Sequence, residues 1–240
     1  MTVSLVGAGP GDPELITVKG LARVRACDVI VYDRLVAPEL VDEAPADALR
    51  IDRDRLDQEN VNALLVAHGR RGHDVVRLKG GDPFLFGRGG EEAVALARAG
   101  VSFEVIPGVS SLTAVPASAS IPVTHRGVAG AVTAFAAHDA EALDAAALAR
   151  VPGTLVAFMG LAALERLSAR LIEHGKPAST PVAVVSRGTT DDEQVVVAPL
   201  GAIASAASGL PTPALVVIGE VVALRDAIST RRPAWRAEVA

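Results

Sequence analysis

Two α/β domains with a cleft between them are the architecture this sequence predicts, and three observations predict it. Strand-like and helix-like segments alternate through the first half of the chain, the signature of a mostly parallel sheet covered on both faces. A proline-broken stretch of small residues runs from Pro107 to Pro116 and on to Ile121-Pro122, which suits a linker. Beyond it the alternation resumes. The 240 residues give room for two domains of common size, about 100–150 residues each. The expected domains are residues 1–115 and 116–240.

Taken in order, Val3-Ser-Leu-Val6 is a short apolar strand closed by the loop Gly7-Ala-Gly-Pro-Gly-Asp-Pro13. Residues 17–26 read as a helix, and Asp28-Val-Ile-Val-Tyr32 as a buried strand ending at Asp33. A helix over 58–71 places Val61, Leu64, Leu65 and His68 at helical spacing. A strand over 74–79 runs into a glycine-rich segment, followed by a helix over 90–99 and a strand over 102–106. After the break, strands fall near 130–136, 154–159, 181–186, 193–197 and 214–219. Helices fall near 162–173 and 200–206, with a last one after Glu220. Alanine dominates 136–148, and the tail after Arg231 is polar and reads as frayed.

Composition excludes several classes of function. Half the residues are hydrophobic and 21% are charged, ordinary for a protein with a packed core. A net charge of −5 and an aromatic content of 3% argue against a nucleic-acid surface. Mean hydropathy is +0.37, yet Gly, Pro, Arg or Glu interrupts each apolar run before the ~18 residues a membrane-spanning helix needs. The N-terminus opens on a strand with no basic region before it, so no signal peptide is expected. Cys27 is the only cysteine, which rules out an intrachain disulfide framework and a cysteine-based metal cluster. A reducing, cytoplasmic setting fits. No metal-ligand constellation stands out.

The segment Arg77-Leu-Lys-Gly-Gly-Asp-Pro-Phe-Leu-Phe-Gly-Arg-Gly-Gly-Glu-Glu92 carries the strongest functional signal. A strand ends in a glycine pair, an Asp-Pro turn, and an arginine between glycines before a helix begins. Glycines packed this closely bring backbone groups within reach of a ligand, because no Cβ intervenes. Such loops at strand ends are where open α/β sheets bind small molecules. An ordinary strand-to-helix turn needs one or two glycines rather than this many. A dinucleotide fingerprint does not fit: after Gly7 and Gly9 the spacing requires glycine at Asp12. Pro10 and Pro13 also remove amides that a pyrophosphate would use, and no P-loop lysine-serine pair is present.

Several motifs together are familiar. They are Val6-Gly-Ala-Gly-Pro-Gly-Asp-Pro-Glu-Leu-Ile-Thr17, Tyr32-Asp-Arg-Leu-Val36, the glycine-rich segment, Pro107-Gly-Val-Ser-Ser111 and Ile121-Pro-Val-Thr-His-Arg-Gly127. Phe158-Met-Gly-Leu161, Gly188-Thr-Thr190 and Val217-Val-Ile-Gly-Glu-Val-Val222 follow in order. The set resembles the tetrapyrrole methylases, and in particular their uroporphyrinogen-III C-methyltransferase branch, over almost the whole chain. The resemblance implies the tetrapyrrole methylase fold of class III methyltransferases, with S-adenosyl-L-methionine held in a cleft between two domains. It also implies a homodimer, a tetrapyrrole substrate on the way to sirohaem or cobalamin, and S-adenosyl-L-homocysteine as product. The N-terminal domain is expected to carry the glycine-rich loops and substrate-facing residues, and the C-terminal domain to complete the cofactor site.

By the same resemblance, Pro10, Gly80, Gly81, Asp82, Leu85, Ser110, Ser111, Met159 and Gly188 border the cofactor. Asp33 matches the family's proton acceptor, and Arg88 is the other candidate participant. Arg34, Arg88 and Arg126 lie on three ligand-facing motifs and suit a polycarboxylated macrocycle, since arginine grips carboxylates through paired charge-assisted hydrogen bonds. Glu91 is read equally as a substrate contact and as a partner of the helix N-terminus. His125 reads as a structural hydrogen-bonder. His138 falls where the family has Thr-Gly-His, but Ala136 and Ala137 precede it here.

Two departures keep alternatives open. Leu49-Arg-Ile-Asp-Arg-Asp-Arg-Leu-Asp-Gln-Glu-Asn-Val-Asn62 is shorter than the family's loop and lacks its proton-donating lysine. Arg50, Arg53 or Arg55 can supply charge there but not a proton. Ser118 and Ser120 stand where the family has Tyr and Gly. The alternatives are a divergent paralogue that methylates another tetrapyrrole or methylates only once, and a catalytically impaired tetrapyrrole-binding protein.

Overall fold

The computed structural model describes residues 2–229. The tail after Arg231 lies outside them. The chain divides into two compact units between Ala114 and Val115.

The first unit runs β1 (Val3–Gly7), α1 (Val18–Val24), β2 (Val29–Tyr32), α2 (Pro38–Asp42), β3 (Leu49–Asp52), α3 (Gln58–Arg70), β4 (Val75–Lys79), α4 (Gly89–Arg98) and β5 (Phe103–Ile106). Its five strands are ordered β3-β2-β4-β1-β5, and every pair is parallel. Because side chains alternate along a strand, the sheet feeds two cores. Val6, Ile30, Val76, Leu78 and Ile106 pack with Val24 of α1 and Leu40 of α2. Val3, Leu5, Val29, Val31 and Val75 pack with Val61 and Leu65 of α3 and Leu96 of α4. Helix starts follow side-chain chemistry: Thr17 caps α1 through the Gly20 amide, and Asp57 caps α3 through the Asn60 amide.

This strand order sets the functional edge. β1 and β4 are neighbours, yet the connection leaving β1 runs over one face to β2 and that leaving β4 runs over the other face to β5. Their following loops therefore diverge and leave a crevice at the carboxyl ends of the two strands. The Gly7–Pro13 loop and the glycine-rich loop emerge there.

The second unit runs on from α5 (Ser111–Ser118), which spans the point of division, through β6 (Val132–Ala136), α6 (Ala145–Arg150), β7 (Thr154–Phe158), α7 (Leu164–Glu173), β8 (Pro181–Ser186), β9 (Gln194–Pro199), α8 (Ile203–Ala206), β10 (Ala214–Ile218) and α9 (Arg225–Ile228). Its sheet is ordered β6-β7-β10-β8-β9 and is mixed: β6 and β7 are parallel, and the other pairs are antiparallel. One face is sealed by Leu164, Leu167 and Leu171 of α7, with Leu200 and Ile203 of the α8 region, over Leu155, Val182, Val184, Val216 and Ile218. No helix among the described residues is long and apolar enough to cross a membrane.

One expectation is corrected. The stretch Pro107–Pro116 is not a plain linker, because its second half is α5. Ser110 starts that helix: its hydroxyl accepts the Leu112 amide at 3.1 Å, and its carbonyl accepts the Thr113 and Ala114 amides. Pro116 is accommodated inside the helix near its end. α6 starts at the end of the alanine-rich stretch and is capped by Asp144 through the Ala147 amide.

Candidate active site

Three strand ends of the first unit meet backbone to backbone. A Cβ built on Gly7, at the end of β1, lies 2.5 Å from Gly108 Cα and 2.6 Å from the Gly81 carbonyl oxygen. One built on Gly108, after β5, lies 2.2 Å from that same oxygen. Only glycine permits this approach. Gly81 has a φ of 65° and pairs with Gly9, each amide donating to the other's carbonyl, at 2.6 Å and 3.3 Å. Pro10 is thereby set beside the glycine-rich loop. Asp82 braces the junction: Oδ1 accepts the Phe84 amide at 2.9 Å, and Oδ2 accepts the Gly108 amide at 3.0 Å. Ser111 Oγ lies 3.6 Å from the Cβ position of Gly81, and Leu35 closes on Gly80. The Leu85 amide donates to the Asp82 carbonyl in the same turn. Gly80, Gly81, Asp82, Leu85, Ser110 and Ser111 thus cluster at the sheet edge that the topology marks.

Beside this cradle, at the end of β2, Asp33 tops a chain of charges that runs into the α3/α4 core. Arg77 of β4 is 1% exposed; its Nη2 donates to Asp33 Oδ1 at 2.5 Å, and its Nε donates to Glu92 Oε1 at 2.9 Å. Nη1 donates to the carbonyls of Leu78 and Val31. Lys79, also buried, donates from Nζ to Glu92 Oε1 at 3.1 Å, and Gln58 Nε2 donates to the same oxygen at 3.3 Å. Burial, reinforced by the neighbouring Arg77 cation, pushes the Lys79 ammonium below the usual lysine range. Arg53 completes the group, 3.6 Å from Asp33 Oδ1 and hydrogen-bonded to Gln58. Of Arg50, Arg53 and Arg55, Arg53 is the one with an ion pair to Asp33 among the described residues. Arg50 instead donates to the Ala44 and Ala48 carbonyls.

Arg88 sits left-handed, with φ 60°, immediately before α4. Its guanidinium grips Glu91 in a two-pronged pair, Nε to Oε1 and Nη2 to Oε2, both at 2.8 Å and both half-exposed. That pair raises the Arg88 pKa and lowers that of Glu91. Glu91 is therefore both in the first turn of a helix and the counterion of Arg88. Arg34 is highly exposed and lies 3.4 Å from Asp54.

In the second unit, Met159 follows β7 and Gly188 follows β8. These strands flank β10 and both run antiparallel to it, so both residues stand at one edge of the sheet. A Cβ on Gly188 lies 2.6 Å from a Val115 methyl. Glu193 Oε2 accepts the Thr189 amide at 2.9 Å and also accepts the hydroxyl of Ser118, which ties α5 to this loop. Arg126 lies at the exposed tip of a tight turn closed by His125 and Ala129. His138 lines a separate cavity of about 520 Å³ with Asp139, Glu165 and Arg166. Among the described residues no group of three or more His, Cys, Asp or Glu could hold a metal.

Among the described residues, the non-glycine residues with left-handed backbone are Phe86, Arg88, Ser120, Met159, Arg187 and Thr189. All lie in or next to the motifs singled out from sequence, in keeping with the concentration of strained backbone at functional sites. Ser120, with a φ of 60°, adopts a conformation that glycine takes at no steric cost.

The buried Arg77, Lys79 and Glu92 are not singled out by the sequence reading. The signal was present. Arg77 and Lys79 are two apart in an otherwise apolar strand, so they share one inward face. Glu92 falls in the helical spacing of Gly89, Ala93 and Leu96, the buried stripe of α4.

A parallel sheet with glycine-packed loops at its switch point, followed by a mixed second sheet, defines an α/β protein built to bind a small molecule. The comparisons make the class specific. Residues 2–204 match the family model for tetrapyrrole (corrin/porphyrin) methylases, and the chain belongs to that family. It is 48% identical over 236 residues to siroheme synthase 1 of Yersinia enterocolitica, covering 95% of this chain and 50% of that protein. The chain spans about half the length of the curated relatives it matches. The crystal structure of uroporphyrin-III-C-methyltransferase from Thermus thermophilus superposes with a TM-score of 0.85 at 38% identity, covering 96% of this chain and 97% of that one. A structure of that enzyme complexed with S-adenyl homocysteine gives 0.83 at 39% identity, covering 93% and 100%.

Proposed function

We propose that this chain methylates uroporphyrinogen III at two pyrrole carbons, using S-adenosyl-L-methionine, to give precorrin-2 by way of precorrin-1. The observation that carries the reading is the backbone cradle at Gly7, Gly81 and Gly108, in a chain that aligns nearly end to end with a uroporphyrin-III-C-methyltransferase. When bound, S-adenosylmethionine supplies an electrophilic methyl group on a sulfonium centre.

The residues fit that group. Gly80 and Gly81 carry the backbone out of the carboxyl end of β4, where its amides and carbonyls face the switch point. Pro10, Asp82, Leu85, Ser110 and Ser111 border it, and Met159 and Gly188 supply the contribution of residues 116–240. Arg34, Arg88 and Arg126 grip substrate carboxylates. The two-pronged Arg88–Glu91 pair shows the geometry such a grip uses, because a carboxylate of the substrate can take the place of Glu91.

The chemistry asked of the protein is alignment and exclusion of water. The electron-rich pyrrole carbon forms the new C–CH3 bond as the S–CH3 bond breaks, and its electron pair leaves with sulfur as a neutral thioether. The macrocycle then carries an extra positive charge and must lose a proton. Asp33 takes it as general base, from its place at the carboxyl end of β2. A homodimer and a cytoplasmic setting belong to the same reading.

The test is transfer of labelled methyl from S-adenosylmethionine to freshly reduced uroporphyrinogen III under anaerobic conditions. Label appearing in the extracted tetrapyrrole supports the reading. Folded protein that binds S-adenosylhomocysteine yet transfers nothing refutes it.

A further inference from the structure

We propose that Arg77 is a positioning residue for Asp33, and that Glu92 is the buried anchor that holds Arg77 in place. The inference rests on the reading of Asp33 as the base.

The strand itself gives no reason for a cation here. Val75, Val76 and Leu78 are what a strand buried on both faces ordinarily contains. A buried ion pair is not needed for stability, since well-packed apolar residues serve as well or better. Yet β4 buries two cations on the one face that looks toward α3 and α4.

Their arrangement has a direction. Glu92 is fully buried, Arg77 and Lys79 are 1% exposed, and the side chain of Asp33 is 23% exposed. The chain thus begins in the core and opens toward solvent at Asp33. At the inner end, Arg77, Lys79 and Gln58 all donate to Glu92 Oε1, while Oε2 has no hydrogen-bond partner among the described residues. Arg77 is the connecting piece. All three of its nitrogens are engaged: Nε with Glu92, Nη1 with the Leu78 and Val31 carbonyls, Nη2 with Asp33.

A planar guanidinium fixed at three nitrogens cannot turn, and this fixes where Asp33 Oδ1 stands. A lysine would keep the charge and lose the fork. Asp33 is further set by the backbone, its amide donating to the Leu78 carbonyl and its carbonyl accepting the Val36 amide. The base is therefore held from the strand on which Arg77 and Lys79 lead into the glycine-rich loop, so cradle and base share one rigid element.

A double-mutant cycle on the full chain tests this, using Asp33→Asn, Arg77→Lys and the pair, with uroporphyrinogen III as substrate. Folding is checked by circular dichroism and S-adenosylhomocysteine affinity by calorimetry. Asp33→Asn is expected to lower kcat by about 100-fold or more. Arg77→Lys is expected to lower kcat by about 10- to 100-fold through misplacement of the base, with KM and S-adenosylhomocysteine affinity unchanged. On the Asp33→Asn background, Arg77→Lys should cost nothing further, because it acts through the group already removed. Multiplying losses, or a loss in KM or cofactor affinity alone, would overturn the positioning role. Full activity in Asp33→Asn would instead overturn the reading of Asp33 on which the proposal rests. Should Arg77→Lys not fold, Glu92→Gln removes the anchoring charge with no change of shape and must show the same fall in kcat and the same lack of effect on Asp33→Asn.

Discussion

Gly7 and Gly108 stand backbone against backbone at the ends of neighbouring strands, so close that a Cβ on Gly108 would come within 2.7 Å of Gly7 Cα and 2.2 Å of the Gly81 carbonyl oxygen. The listener to that contact is backbone, not a side chain that can swing aside. Gly108→Ala is therefore expected to destabilise the protein by about 1–3 kcal/mol or more and to remove S-adenosylmethionine binding. Gly90, in the first turn of α4, has nothing within 4 Å of its Cβ position. Gly90→Ala is expected to change stability by less than about 1 kcal/mol, in the stabilising direction. Urea unfolding of the two variants separates them.

Arg88→Leu should abolish turnover and spare both folding and S-adenosylhomocysteine binding. Its side-chain partner, Glu91, is half-exposed, and exposed pairs contribute little to stability. Calorimetry with the homocysteine product, run beside the methyl-transfer assay, checks this. Loss of cofactor binding in a folded variant would remove Arg88 from the substrate side.

His68 and His73 share a close contact, Nδ1 to Nδ1 at 2.9 Å. Burial first, then the charges of His73 and Arg71, lowers the His68 pKa below its ordinary value of 6.5. A histidine depressed in the folded state contributes stability that is present above about pH 6.5 and is lost as pH falls through its folded value. Thermal melts at falling pH should show a steeper loss for the native chain than for His68→Asn.

Cys27 is buried against the α1/α2 core, and burial pushes its thiol up to about 11. It should resist a thiol reagent at pH 8 in the folded protein and react on unfolding. The contribution to stability is fully present below about pH 9, the unfolded value, and is lost as pH rises toward 11. Comparing the native chain with Cys27→Ala across that window isolates it.

Much of this was legible in the sequence, for physical reasons. The helix expected over 58–71 is α3, Gln58–Arg70, because its apolar stripe is long; the strand expected over 181–186 is β8, with the same bounds. The pieces that escaped are short or mixed in signal. β3 is a four-residue edge strand of mostly exposed residues, among them Arg50 and Asp52, with no apolar run to mark it. α2 has five residues and starts at Pro38, where a proline is tolerated in a first turn. α5 was hidden by Pro116. At the site, glycine spacing revealed the cradle, while the charge chain behind Asp33 required the strand to be placed against α4 before Arg77 and Glu92 could be seen to meet.

The most direct measurement counts methyl groups on the product. Anaerobic incubation with S-adenosylmethionine and fresh uroporphyrinogen III, read by mass spectrometry, is predicted to give a macrocycle that has gained two methyl groups, with the singly methylated species appearing first and then falling. That outcome would also show that the shortened loop, with Arg53 rather than a lysine beside Asp33, sustains both transfers. A product that stays singly methylated, or substrate returned unchanged by folded protein, would contradict it.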